Sequence, residues 1–217
     1  MTSARQLKLG PPDQLAELGL DVETLHRAVR VGIAARATRT GLAPRNAAGT
    51  DLYSYTVEEL RLLLVPAGWT ADFAGGQERT VSPDGLTSIV FSTGSGDVGD
   101  PDPAARPRTA YAKGPLMRDA VMENLGYVQQ ELPIGLPRRA EGRRLCWVLL
   151  VKVEPGCAYL ELSVPDGMRD GVVDSWVQRI PLPPLPLDDP LPLEDGDGIV
   201  EPDAEPVDLD VPVLPLP

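Results

Sequence analysis

The sequence predicts an α+β fold with N-terminal helices, a β-hairpin, a central helix and a C-terminal antiparallel sheet, followed by a disordered, acidic, Pro-rich tail. Three observations predict it. Apolar residues recur at helical spacing early in the chain and again after Pro115. Residues 145–164 alternate as two strands joined by a tight turn. From Pro181 onward the composition changes, and eleven of the 24 prolines lie there.

Charge is concentrated in the same C-terminal stretch. From Pro181 onward the chain has ten acidic residues and no basic residue, which accounts for −10 of the net charge of −12. Such a segment cannot bury enough apolar surface to offset its conformational entropy. We therefore predict one α+β domain over residues 1–181 and a disordered tail over 182–217. The low overall pI describes the tail, so it does not exclude nucleic-acid binding by the folded part.

Two helical segments open the domain. Residues 12–18 fit one or two helical turns before Gly19. Asp21 is a good N-cap for a second helix that is expected to run to about Thr40 and to stop at Gly41. This helix and its C-terminal flank are rich in arginine, which indicates a solvated surface or, as the alternative, a phosphate-contacting one.

A third helix is predicted from a capping box, in which Thr56 caps the first turn and Glu59 reaches back to it. Pro66 is expected to end this helix, because the residue before a proline is disfavoured in the α region. The two aromatic residues that follow, Trp69 and Phe73, are predicted to pack against it.

A hairpin comes next. Residues 82–85, Ser-Pro-Asp-Gly, suit a type I turn between strands of about Gln77–Val81 and Leu86–Thr93. The second strand leads into a glycine-rich loop. Beyond that loop, Pro115 is placed as the first residue of the central helix.

The clearest β signal lies near the C-terminal end of the domain. With residues 155–156, Pro-Gly, at the turn, Glu154 opposes Cys157 and Leu149 opposes Leu162, which makes one face of the pair apolar. This register holds Cys146 and Cys157 too far apart for a disulfide. Residues 172–182 fit either a helix or a third strand, and we favour the strand.

The glycine-rich loop, residues 94–99, matches G-x-G-x-x-G and follows a strand. A dinucleotide site needs a helix that begins inside this motif, whereas here the next residues are Asp-Pro-Asp-Pro. We therefore reject a nucleotide cofactor, and no cofactor is predicted. Asp97 and Asp100 are close enough in sequence to form a carboxylate metal site, although such residues are also ordinary in loops.

No complete catalytic motif is present. The chain has one histidine, His26, and two cysteines, which are too few and too separated for a nucleophilic triad or a zinc centre. The sequence thus leans towards a protein that is not an enzyme.

Two basic groups are the remaining candidates for a site that binds an anion or a nucleic acid. The first surrounds the Lys113-Gly114 step ahead of the central helix, where a cation would add to the free amides of the first turn. The alternative is that both groups are solvated loop charges. The candidate residues are Arg106, Arg108, Lys113 and Arg118 in the first group, and Arg138, Arg139, Arg143 and Arg144 in the second.

The sequence leads to two hypotheses of function. No signal peptide and no membrane-spanning run is recognised, which favours a cytoplasmic protein without membrane contact. We expect a non-enzymatic interaction or accessory subunit of a bacterial multiprotein complex, with a protein partner. The alternative is a nucleic-acid- or nucleotide-acting protein that uses the 94–118 loop and the basic groups.

Overall fold

The computed structural model describes residues 10–74, 77–129 and 144–187. These ranges contain four α-helices, one short 3₁₀ helix and eight strands, which confirms the α+β class. The helices are α1 (Pro11–Glu17), α2 (Val22–Ala37), α3 (Ala47–Leu64) and α4 (Pro115–Gln129), with the 3₁₀ helix at Val65–Ala67. The strands are β1 (Thr70–Ala74), β2 (Gln77–Val81), β3 (Thr87–Ser95), β4 (Arg108–Thr109), β5 (Leu145–Glu154), β6 (Cys157–Arg169), β7 (Val172–Pro181) and β8 (Leu185–Pro186).

The strands form one mixed sheet in the order β1-β2-β3-β5-β6-β7, in which β4 also pairs with β3 and β8 with β6. The predicted hairpin and the predicted C-terminal sheet are therefore not separate units. They join where β3 runs parallel to β5, and a parallel pair needs a long crossover, which here includes α4. The antiparallel arrangement of β5, β6 and β7 is confirmed.

The predicted register of the β5–β6 hairpin is confirmed, because Glu154 pairs with Cys157 and Leu149 pairs with Leu162. The segment after it is a strand, β7, as favoured from the sequence. Both faces of β5 are buried rather than one. Leu149 and its odd-numbered neighbours belong to one hydrophobic cluster, while Val148 and Leu150 belong to a second on the opposite face.

The two hydrophobic clusters place the sheet between two layers. Residues of α1, α2 and α3 pack with one face of the sheet, and α2 crosses α3 closely. On the opposite face, α4 contributes Met117 and Ala120 to the second cluster. Asn124 of α4 also fixes this helix to the sheet, since its side-chain amide donates to the carbonyls of Cys146 and Pro165 at 3.0 Å each.

The prediction that α3 begins at a Thr56 capping box is wrong. The helix begins at Ala47, and Thr56 is fully buried inside it. The reason is the crossing with α2, where Gly32 has no side chain and lets Thr56 approach: a Cβ at Gly32 would lie 2.1 Å from the Thr56 hydroxyl oxygen. Tertiary packing here overrides a local capping signal.

The prediction that Pro66 ends α3 agrees better with the structure. The α-helix stops at Leu64, and a 3₁₀ turn that contains Pro66 follows. Trp69 is buried as expected. The packing prediction for Phe73 is wrong, because its side chain is 65% exposed on β1, the outermost strand of the sheet.

The folded part of the chain extends beyond the predicted boundary at Pro181. Leu182 and Leu185 are buried in the core, and β8 pairs with the start of β6. The ring nitrogen Nε2 of His26 in α2 lies 2.9 Å from the carbonyl oxygen of Pro183. Residues 182–187 are therefore part of the domain, and the predicted disordered tail from residue 188 lies outside the described residues.

Candidate functional site

The glycine loop that follows β3 is held to the sheet by a buried charge. Glu161 of β6 is fully buried, and its carboxylate accepts a hydrogen bond from the Gly99 amide at 3.0 Å. Arg179 of β7 neutralises this carboxylate, with Nη2 2.6 Å from Oε2, and also donates to the Asp100 carbonyl at 3.0 Å. Ser163 donates a further hydrogen bond to the carboxylate. Glu161 and Arg179 together therefore fix the position of the glycine loop on the sheet.

The two candidate metal ligands bind backbone amides of the same loop. The carboxylate of Asp97 accepts from the Arg106 amide at 2.9 Å, and that of Asp100 accepts from the Asp102 amide at 2.8 Å. In the described part of the chain, no group of three or more His, Cys, Asp or Glu side chains is arranged to hold a metal ion. Both aspartates have a loop-stabilising role that accounts for their positions.

The first basic group is partly engaged within the loop. The guanidinium of Arg106 donates to the carbonyls of Ala104 and Ala105 at 2.7 and 3.0 Å, and that of Arg108 donates to the Ser95 hydroxyl at 3.3 Å. Arg106 thus binds its own turn, and Arg108 binds the end of β3. Arg118 is exposed on α4.

Lys113 lies before α4, where its backbone amide donates to the Gly171 carbonyl at 2.8 Å. Burial lowers the pKa of its ammonium group. Within residues 10–74, 77–129 and 144–187, Lys113 forms no ion pair. Among the described residues, neither Lys113 nor Arg118 forms a side-chain ion pair, and of the two Lys113 is the more buried.

The second basic group is described only at Arg144, because Arg138, Arg139 and Arg143 lie outside the described residues. Arg144 forms an ion pair with Asp72 at 2.7 Å and donates to the Gly85 carbonyl at 3.2 Å. It contacts the β1–β3 side of the sheet, whereas Lys113 contacts the β6–β7 turn on the other side. The described residues of the two groups therefore do not converge on one site.

The thiols and the single histidine do not form a nucleophilic centre. Burial raises the pKa of Cys146 to about 11, so this thiol is protonated and unreactive at neutral pH. The pKa of His26 is lowered, mainly by burial, and the ring contacts the Pro183 carbonyl rather than either cysteine. Both groups serve the packing of the domain.

A concave surface lies elsewhere, on the outer side of α3. We call it the α3 groove; its accessible volume is about 620 Å³. It is open to solvent at Leu62 and Val65, which are 62% and 53% exposed. The lining residues are Tyr53, Ser54, Val57, Glu58, Arg61, Leu62, Val65, Pro66 and Glu78.

Two contacts fix the walls of the α3 groove. The ring of Tyr53 packs edge to face on Phe91 of β3, with centroids 6.0 Å apart, and partial burial raises the pKa of its hydroxyl. Arg61 binds Glu78 of β2 at 2.7 Å and also donates to the Arg79 carbonyl. Because Glu78 is neutralised by Arg61, the exposed carboxylate of Glu58 leaves the groove with a net negative charge.

The chain was also compared with known proteins. Neither a protein-family model, nor a curated protein, nor a solved structure matches it. Over the described ranges, no helix combines the length and the apolar character needed to cross a membrane.

The sequence contained a signal for the α3 groove that the helix-by-helix interpretation missed. Residues 52–65 carry apolar side chains on more than one side of the helix, with Leu62 and Val65 in addition to the buried Leu60 and Leu64. A helix that packs on only one side needs a single apolar stripe. The extra apolar residues indicate a second contact surface.

Proposed function

We propose that this protein is a non-enzymatic interaction or accessory subunit of a multiprotein complex, and that its partner protein binds at the α3 groove. The observation that carries the proposal is the exposure of Leu62 and Val65 beside an apolar groove. Clustered exposed apolar side chains of this kind are typical of protein-binding surfaces. Phe73, on the neighbouring strand β1, adds a third exposed apolar side chain.

The polar lining of the groove supports the same function. Arg61 and Glu78 are fixed to each other, and Tyr53 is held by Phe91, so the walls are ordered without a ligand. A preorganised surface loses less conformational entropy on binding. Tyrosine and arginine are also among the residues that contribute most to protein interfaces.

The alternative, a nucleic-acid- or nucleotide-acting protein, has weaker support. Its loop residues Arg106 and Arg108 direct their side chains at the loop itself, and Arg144 is paired with Asp72. Lys113 and Arg118 favour it, since neither side chain has an ion-pair partner among the described residues.

Affinity purification from the native host, with this chain as bait, separates the two functions. A protein recovered in a fixed stoichiometry supports an accessory subunit, and failure to recover one contradicts it. In parallel, labelled single- and double-stranded nucleic acids are titrated at low and high salt. Binding that weakens steeply with salt would favour the alternative, because phosphate contacts release counterions.

A further inference from the structure

Strand β1 presents an open edge. This strand ends the sheet, and among the described residues no strand pairs with its outer side. Ala74 pairs with Gln77, and Asp72 pairs with Arg79. On the other side of β2, the Ser82 amide donates to the Thr87 carbonyl at 2.9 Å. The even-numbered residues of β2 therefore direct their backbone groups towards β3, and Gln77 and Arg79 direct theirs towards β1. Hydrogen-bonded and non-hydrogen-bonded pairs alternate in such a hairpin. The backbone groups of Ala71 and Phe73 therefore point away from β2, towards the open edge.

The open edge and the α3 groove lie on the same side of the molecule. Phe73 pairs with Glu78, so the side chains of these two residues lie on one face of the hairpin. Glu78 binds Arg61 of α3 and lines the groove. A strand added beside β1 would thus direct every second side chain towards the face that carries Phe73 and Glu78, next to Leu62 and Val65.

We infer that the β1 edge and the α3 groove together bind one extended segment of the partner protein, with apolar side chains at alternate positions and a basic side chain opposite Glu58. This inference rests on the proposed function and specifies the chemistry of the partner. Main-chain hydrogen bonds to a sheet edge supply affinity in this mode of recognition, and pockets for alternate side chains supply specificity.

The net negative charge of the α3 groove favours some apolar partner segments over others. The lining has two carboxylates, Glu58 and Glu78, against the single guanidinium of Arg61, so a lysine or arginine of the partner is attracted and an acidic side chain is repelled. The acidic stretch of this chain, residues 188–210, has ten acids and no base. It is therefore a poor occupant of the groove.

A random peptide library displayed on phage, selected against the full-length protein, tests the inference. Each enriched peptide is then tested for binding to Leu62→Glu, and Met122→Glu, at a similarly exposed position on α4, serves as the matched control. We expect enriched peptides with apolar residues at every second position and with lysine or arginine. Glu58→Lys is expected to weaken the binding of a synthetic copy about tenfold. Thermal unfolding of each variant verifies that it is folded.

Three results would overturn the inference. Enriched peptides that are acidic, or that show helical spacing, would contradict the assigned chemistry and leave the groove as an interaction surface. Peptides that bind Leu62→Glu as well as wild type would place recognition elsewhere. A stable homodimer whose formation Leu62→Glu abolishes would identify a second copy as the occupant. The proposed function is tested by a different experiment, the affinity purification, and it fails if no partner is recovered there.

Discussion

Arg179 and Glu161 form an ion pair beneath the glycine loop, with a donor–acceptor distance of 2.6 Å and the Glu161 side chain fully excluded from solvent. A buried pair of this kind is strongly destabilised when one partner is removed, because the remaining charge is left without compensation. The pair also holds Gly99 and Asp100. It therefore connects the stability of the sheet to the conformation of the loop.

Arg179→Ala is expected to lower the free energy of unfolding by about 3–5 kcal/mol, measured by urea denaturation. The exposed pair of Arg169 and Asp174 offers a control, since the Arg169 side chain is 82% exposed and Arg169→Ala should cost less than about 1 kcal/mol. Replacing both Glu161 and Arg179 by glutamine should cost less than Arg179→Ala. If Arg179→Ala and Arg169→Ala have equal effects, the buried pair does not have the role described.

Gly96 is a second determinant of the loop. Its φ is +71°, and a Cβ there would lie 2.6 Å from the Arg106 carbonyl oxygen. Gly96→Ala is therefore expected to lower stability by at least about 1–2 kcal/mol, from the left-handed conformation alone. Gly49→Ala, in the first turn of α3 with no atom within 4 Å of the new Cβ, should raise it by up to about 1 kcal/mol. Shifts of the same sign in thermal melts of the two variants would contradict this account.

The segment 182–187 is expected to be essential for folding. A chain that ends at Pro181 lacks two buried leucines, Leu182 and Leu185, and the strand β8. Because each buried leucine lost costs about 2–5 kcal/mol, this chain should be less stable than one ending at Leu187 by about 4 kcal/mol or more. Equal denaturation midpoints for the two chains would show that the segment does not belong to the domain.

His26 predicts a pH dependence of stability. Burial lowers the pKa of its ring in the folded protein, against the opposing effects of the hydrogen bond to the Pro183 carbonyl and of the Glu23 charge. The unfolded chain then binds a proton more readily, so stability is complete above the unfolded pKa of about 6.5 and is lost as the pH falls below it. The unfolding free energy of wild type should decrease more between pH 7.5 and 5.5 than that of His26→Gln. Parallel pH profiles would rule out this contribution.

Local signals predicted much of the fold. The turn at residues 82–85, the proline at the start of α4 and the β5–β6 register all depend on neighbours in sequence, and the structure has each of them. The parallel pairing of β3 with β5 was not predicted, because it joins segments separated by a loop and a helix. Thr56 was misread for a related reason: its environment is set by Gly32 of another helix.

The candidate site was less predictable than the fold. The composition of residues 94–118 predicted an anion site there, but the side chains of Arg106 and Arg108 bind groups within the same segment. Glu161 was not identified from the sequence, because the glycine loop that contacts its carboxylate lies far from it along the chain. Exposure of Leu62 depends on which face of α3 the sheet covers, and a sequence pattern alone does not specify this.

The most direct test of the central claim compares Leu62→Glu with Met122→Glu as bait in purification from the native host. The two side chains have nearly equal exposure, 62% and 61%, and lie on α3 and α4. A carboxylate in the centre of an apolar interface should reduce recovery of the partner at least about tenfold, a loss of about 1.4 kcal/mol. We expect that loss for Leu62→Glu and wild-type recovery for Met122→Glu. Wild-type recovery with Leu62→Glu would contradict the central claim.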